Sequence, residues 1–381
     1  MEAEFTALAT SKISKSVAKT LTTVPAEIRQ LIFKEIFAST TVYIGFDDSE
    51  DETSSADSQS AACKPYESIQ SILDDGTSSN NGSSASTLST QNSNLTNTNI
   101  LRTCRMISVE ATPLLAPHIT LSIWSTKAMI DYFSTLRPEI IQNLRYLRLQ
   151  EGFPIPLYTQ LHRNSFTTFH VSEAFCMFPG LQLDLVTVGD CYHVEGCYYR
   201  GGTNSSNVGT YQAVDGLIRI DGWKELHFIT PTTQFMSEPC DPYHERIDHY
   251  RQPVAQPSFW NSFALDRDGR DSGASVRMFA GTQPDVVGLT EDPETRLDYV
   301  AIAGHRLEIE GYENESPEEQ RRHSESREVL VVAKRGVGAS YIQNGNDLHQ
   351  KIKILLSRMT WQEILADGRY LDPEDRPELM L

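Results

Sequence analysis

The sequence has no long apolar run and is poor in positive charge. None of its 381 residues fall in a stretch of about eighteen apolar residues, so we expect no transmembrane helix. Its 33 Lys and Arg are outnumbered by 51 Asp and Glu, and the formal net charge is −18. Because polyanions repel such a chain, generic binding to nucleic acid or to an anionic membrane is not expected. The N-terminus lacks the apolar core of a secretory signal, so we expect a cytoplasmic or nuclear protein.

Motifs of catalysis and cofactor binding are also missing. Neither the Gly-x-Ser-x-Gly elbow nor the His-Glu-x-x-His zinc motif occurs. Gly336 and Gly338 follow an apolar run, but the third glycine of a dinucleotide loop and the Gly-Lys-Ser/Thr ending of a phosphate loop are absent. This segment therefore predicts a turn. We expect no catalytic residues, no enzymatic activity and no cofactor.

The cysteines are few and irregularly placed. Six occur in the whole chain, which is typical of buried thiols in a reducing compartment. Zinc sites use closely spaced Cys or His pairs, and five residues separate Cys191 from Cys197, so no metal site is predicted. A small-molecule or metal-dependent enzyme remains open as an alternative, with its site in this Cys- and His-rich region. The side chains concerned are Cys191, His193, Cys197, Cys240, His244 and His249.

Composition separates ordered from disordered parts of the N-terminal third. Residues 1–22 are interpreted as a disordered lead. Residues 47–97 begin with an acidic block and continue as a Ser/Thr/Asn/Gly tract, which cannot bury enough apolar surface to offset its ordering entropy. They predict a disordered insertion. The flanking segments, residues 23–46 and 98–118, predict helices, and a strand-like run, residues 40–44, follows the first helix.

Residues 119–381 alternate helix-like and strand-like runs and predict an α/β partner-binding domain. The spacing favours strands laid side by side in a right-handed α/β layer, with helices on one face. Residues 231–296 are rich in proline and predict a long irregular loop. The predicted strands are 119–124, 145–149, 181–188, 224–230, 297–302 and 328–333; the predicted helices are 125–136, 171–178, 211–218, 317–325, 347–358 and 361–366.

The first helix begins at Pro25, whose missing amide costs nothing at the first helical position. The helix carries two apolar rows. A helix that is apolar over so much of its circumference needs packing partners on two sides. A second predicted helix, which begins near Asn99 and ends at Pro113, can cover one side. The other side is open to two interpretations, burial in the chain's own core or a protein interface. The rows are Ile28, Leu31, Ile32 and Ile36 in one, and Phe33 and Phe37 in the other.

Two segments carry a resemblance to a known family. Val24-Pro25-Ala26-Glu27-Ile28 resembles the opening of the F-box, Leu-Pro-x-Glu-Leu/Ile, which an Ile/Leu-rich helix follows. Residues 100–115, ILRTCRMISVEATPLL, are similar to the next segment of fungal (ascomycete) F-box-like proteins, where a Leu-x-Thr-Cys-Arg helix precedes Glu-Ala-x-Pro-Leu-Leu. The resemblance covers residues 24–37 and 100–124. It implies an α/β fold in which F-box-like helices lead into an irregular leucine-rich-repeat-like layer of strands and helices.

The resemblance also implies a function and a set of contacts. F-box proteins are substrate adaptors that dock on the Skp-type linker of a cullin–RING ubiquitin ligase, while the rest of the chain recruits a protein substrate, here unknown. A scaffold of F-box ancestry that has lost ligase binding is a further alternative, because Ile107 stands where an F-box often carries Trp and the insertion splits the box. The partner-binding residues implied are Pro25, Ile28, Leu31, Ile32, Ile36, Leu101, Cys104 and Ile107.

Overall fold

The computed structural model describes residues 21–45, 100–101, 105–158, 167–192, 203–231, 256–281, 299–301 and 328–370. No helix within these ranges is long and apolar enough to cross a bilayer. The predicted insertion 47–97, nearly all of the lead 1–22 and the predicted helix 317–325 lie outside the described residues. The chain divides into two compact units: Met1–Ser122 with Leu136–Tyr146, and Ile123–Thr135 with Leu147–Leu381.

Helices and strands alternate through most of the described chain, which confirms the predicted α/β class. In chain order the elements are α1 (Ala26–Ala38), β1 (Thr41–Ile44), α2 (Arg105–His118), β2 (Thr120–Ser125), α3 (Thr126–Phe133), α4 (Pro138–Asn143), β3 (Tyr146–Glu151), β4 (Ile155–Leu157), β5 (Thr167–Phe169), α5 (Val171–Cys176), β6 (Leu183–Gly189), α6 (Thr203–Arg219), β7 (Trp223–Thr230), α7 (Gln256–Asp268), β8 (Ser275–Gly281), β9 (Tyr299–Ala301), β10 (Val329–Lys334), α8 (Gln350–Leu356) and α9 (Trp361–Ala366).

The first unit is built on helix packing. Helix α1 packs on α2, and α2 contacts α4. The amide of Thr120 donates to the carbonyl of Thr40 at 3.0 Å, which places the start of β2 beside β1. Residues from both sides of the predicted insertion therefore share one small core, which includes the buried side chains of Phe33, Phe37 and Ile107.

Helix α2 differs from its prediction at the C-terminal end. Pro113 was expected to end the helix, and this prediction is wrong, because both Pro113 and Pro117 lie inside α2. Proline at 113 removes the hydrogen bond to the carbonyl of Val109. Pro113 and Val109 are both exposed, so this carbonyl lies on the solvent side of the helix. Water can satisfy it there, and the helix continues to His118.

The second unit contains a mixed sheet in the order β2, β3, β6, β7, β10, β8 and β9. Strands β6 and β7 are parallel, as the predicted layer requires, with Leu185 opposite Glu225. Strand β10 lies antiparallel between β7 and β8, and β9 is antiparallel to β8, so side-by-side parallel crossovers do not describe the whole layer. The residues Val329–Ala333 are all buried, which suits an unbroken apolar run in a central strand.

The prediction of one long loop over residues 231–296 is wrong. Helix α7 and strand β8 both lie within it. Pro257 occupies the first turn of α7, where a helix does not need the proline amide, so the proline content does not prevent a helix. Trp260 anchors α7: it is completely buried, stacks on Tyr211 at a centroid distance of 5.2 Å and donates from Nε1 to Asp215 at 3.0 Å.

Candidate protein-interaction site

Helix α1 buries one of its two apolar rows and exposes part of the other. Phe33 and Phe37 are completely buried, and their rings stack at a centroid distance of 6.5 Å. On the other row Ile28 is 47% exposed and Leu31 60%, while Ile32 and Ile36 are half-buried. We call Ile28, Leu31, Ile32 and Ile36 the α1 row. Pro25, at the N-cap of α1, is also exposed.

The remaining residues implied by the resemblance lie elsewhere. Leu101 and Ile107 are buried, so in this structure neither side chain is exposed to a partner. Cys104 lies outside the described residues. Sequence reasoning missed Met106 and Val109, which are 40% and 67% exposed on α2. Their spacing of three residues places them on one helix face, and this spacing was the signal available.

A partly buried ion pair joins the two motif segments. The Arg29 guanidinium donates from Nε to Glu110 Oε2 at 2.7 Å and from Nη2 to Glu110 Oε1 at 2.6 Å. Nη1 of the same guanidinium donates to the carbonyl of Val24. The hydrogen bonds from Arg29 lower the pKa of Glu110, so the carboxylate stays ionised. The sequence pattern does not indicate this pair, because Glu110 is 81 residues from Arg29.

In the second unit, a buried carboxylate at the carboxyl end of β6 accepts three hydrogen bonds from the protein. Asp190 accepts from the hydroxyls of Thr210 and Thr230 at 2.8 and 2.7 Å, and from the amide of Tyr192 at 3.0 Å. Ligands of α/β proteins often bind at this edge of a sheet. Here Asp190 ties β6 to α6 and β7, which is a structural role.

The glycine-containing turn after β10 lines a charged cavity of about 320 Å³ in the second unit. Arg335 donates to Asp268 at 2.8 Å and to Asp221 at 2.6 Å, and Arg267 donates to Asp268 at 3.0 Å. Two carboxylates therefore balance two guanidinium groups, and no excess positive charge is left for a phosphate. The segment after Gly338 forms no helix, as the predicted turn requires.

The Cys- and His-rich region is only partly described. Cys191 is buried, whereas the other five candidate ligands lie outside the described ranges. Among the residues that the structure does describe, no group of three His, Cys, Asp or Glu side chains is placed to hold a metal ion. Burial also raises the pKa of the free thiol of Cys176 to about 12, so this cysteine is a packing residue.

Comparison with known families finds a match in the N-terminal part of the chain. The model of a domain of unknown function, DUF7730, matches residues 14–174. No curated protein and no solved structure matches the chain. The matched segment includes α1, α2 and the ion pair between them, so it contains both motif segments on which the F-box resemblance depends.

Proposed function

We propose that this protein is an F-box-like substrate adaptor whose α1 row docks on the Skp-type linker of a cullin–RING ubiquitin ligase. The observation that carries the proposal is the exposure of Ile28 and Leu31 on a helix whose other apolar row is already buried. Large apolar side chains that share one exposed helix face are typical of protein interfaces. Pro25 and the half-buried Ile32 and Ile36 border the same face.

The second unit is proposed to recruit the substrate. It carries the mixed sheet that we compare with an irregular leucine-rich-repeat-like layer, and its surface includes isolated exposed apolar side chains such as Val337 and Phe259. The net charge of −18 favours a substrate with a basic surface, because opposite charge speeds encounter.

Pull-down of the linker with the full-length chain tests the proposal. Ile28→Asp and Leu31→Asp place a carboxylate in the docking face without touching the buried row, and we expect each to weaken linker binding by about thirtyfold or more. Val337→Asp is the matched control, because Val337 is 91% exposed and lies in the second unit. It should leave linker binding unchanged.

Failure of the wild-type chain to bind the linker under native conditions would refute the adaptor function. Recovery of other proteins in that same experiment would then favour the scaffold that has lost ligase binding. Equal loss of binding in the Val337→Asp control would show that added negative charge, and not the α1 row, determines the result.

A further inference from the structure

We infer that the Arg29–Glu110 ion pair sets the rotation of α1 about its own axis and so decides which apolar row is presented to a partner. The two residues are positioning residues: they lie behind the docking face and act through the helix that carries it. The part of this inference that concerns binding rests on the proposed function. The part that concerns the rotation of α1 does not.

The helical repeat places the rows on different sides of Arg29. At 3.6 residues per turn, Ile28 and Leu31 lie about 100° and 160° from Arg29 in one direction around the axis. Phe33 and Phe37 lie about 40° and 80° from it in the other direction. Burying the side of Arg29 therefore buries the two phenylalanines and leaves Ile28 and Leu31 exposed, as the structure shows.

Apolar burial alone discriminates weakly between this rotation and its alternative. Both rows consist of large apolar side chains, and the hydrophobic effect has no direction. Rolling α1 by about a third of a turn would bury Ile28 and Leu31 at the expense of Phe33 and Phe37. The same contact with α2 would then be made by the row proposed to dock.

The ion pair is directional where the apolar contact is not. Two parallel hydrogen bonds of 2.6 and 2.7 Å hold the guanidinium and the carboxylate in one relative orientation. A roll of α1 that separates Arg29 from Glu110 breaks both of these charge-assisted hydrogen bonds at once. Specifying one arrangement among similar ones is a well attested use of polar and ionic contacts within a protein.

Two variants test the inference in the full-length chain. Glu110→Gln keeps the shape of the side chain and removes its charge. Arg29→Met combined with Glu110→Leu replaces the pair by apolar side chains, which is often neutral or stabilising, and so preserves a folded core without the directional contact. Glu225→Gln is the matched control, because Glu225 pairs with His227 at 2.8 Å in the second unit.

Hydroxyl-radical footprinting distinguishes the two roles of the ion pair. If the pair only stabilised the fold, its removal would leave the footprint of the folded protein unchanged. In the wild type, modification should follow exposure, with Ile28 and Leu31 modified and Phe33 and Phe37 protected. We expect the ratio of phenylalanine to Leu31 modification to rise at least about twofold in both variants, well below their melting temperatures. If the correct rotation is populated in one molecule in ten, linker affinity should fall about tenfold.

An unchanged footprint in both folded variants overturns the inference, even if their melting temperatures fall. A changed footprint in the Glu225→Gln control overturns it as well. If the wild-type chain binds no linker, the proposed function fails, and the footprint still decides whether the ion pair sets the rotation of α1.

Discussion

Truncation of a side chain to alanine should have very different effects on stability in the two apolar rows of α1. Phe33→Ala and Leu31→Ala each truncate a large apolar side chain to a methyl group, two residues apart on the same helix. Phe33 is completely buried and stacked on Phe37, whereas Leu31 is 60% exposed. The structure therefore predicts that only the first change destabilises the first unit.

The expected magnitudes differ by several kcal/mol. Truncation of a fully buried phenylalanine removes its transfer free energy and leaves a cavity, at a cost of about 3–5 kcal/mol. A surface substitution such as Leu31→Ala changes the free energy of unfolding by less than about 0.5 kcal/mol. Three kcal/mol corresponds to a change of more than about a hundredfold in the equilibrium for opening of the helix pair.

Native-state hydrogen exchange of the amides in α1 and α2 is the suitable assay. A chain of two compact units need not unfold in one step, so a single whole-chain free energy would mix the two. Exchange reports opening locally. We expect the slowest amides of α1 and α2 to exchange about a hundredfold faster or more in Phe33→Ala, and at nearly the wild-type rate in Leu31→Ala. Equal acceleration by both variants would refute the assignment of the buried and exposed rows.

Further predictions concern buried groups of the second unit. Because burial raises the pKa of Cys176 to about 12, this thiol should resist iodoacetamide at pH 8 in the native protein and react after unfolding, as peptide mass spectrometry would show. Burial alone would raise the pKa of Asp268, but hydrogen bonds from Arg335 and the amide of Gly336 and the nearby guanidinium charges lower it overall. The ionised Asp268 carboxylate therefore stabilises the folded state above its unfolded pKa, and this stabilisation is lost as the pH falls through the lower folded pKa. Asp268→Asn should make the loss of stability below pH about 4 less steep. An unchanged acid-denaturation curve would contradict this. Asp190→Ala leaves two buried threonine hydroxyls without their acceptor and should cost about 3 kcal/mol or more in chemical denaturation, whereas a loss below about 1 kcal/mol would count against its structural role.

Several local elements could be predicted from the sequence because neighbouring residues determine them. Helix α9 has the predicted bounds, and its start is set by Thr360 and Glu363, which form a reciprocal capping box. The predicted start of α3 at Ser125 is also confirmed, since the Ser125 side chain accepts from the amide of Ala128. Both signals act within three residues.

The wrong predictions have two causes. Either the interaction that decides the structure joins residues far apart in the sequence, or the local sequence signal is compatible with two structures. The prolines of residues 231–296 predicted a loop, although α7 is held in place by contacts of Trp260 with Tyr211 and Asp215. Pro113 predicted the end of α2, and the exposure of that side of the helix allows the chain to continue. The antiparallel insertion of β10 between β7 and β8 depends on pairing across the sheet, which no local pattern specifies.

For the candidate site, the sequence by itself determined that α1 has two apolar rows, because side-chain periodicity follows from the 3.6-residue repeat. Only the tertiary structure decided which row is buried. That choice depends on packing against α2 and on the contact between Arg29 and Glu110, which are 81 residues apart and on either side of the predicted insertion. A pattern within one helix contains no information about a partner charge so far away in the chain.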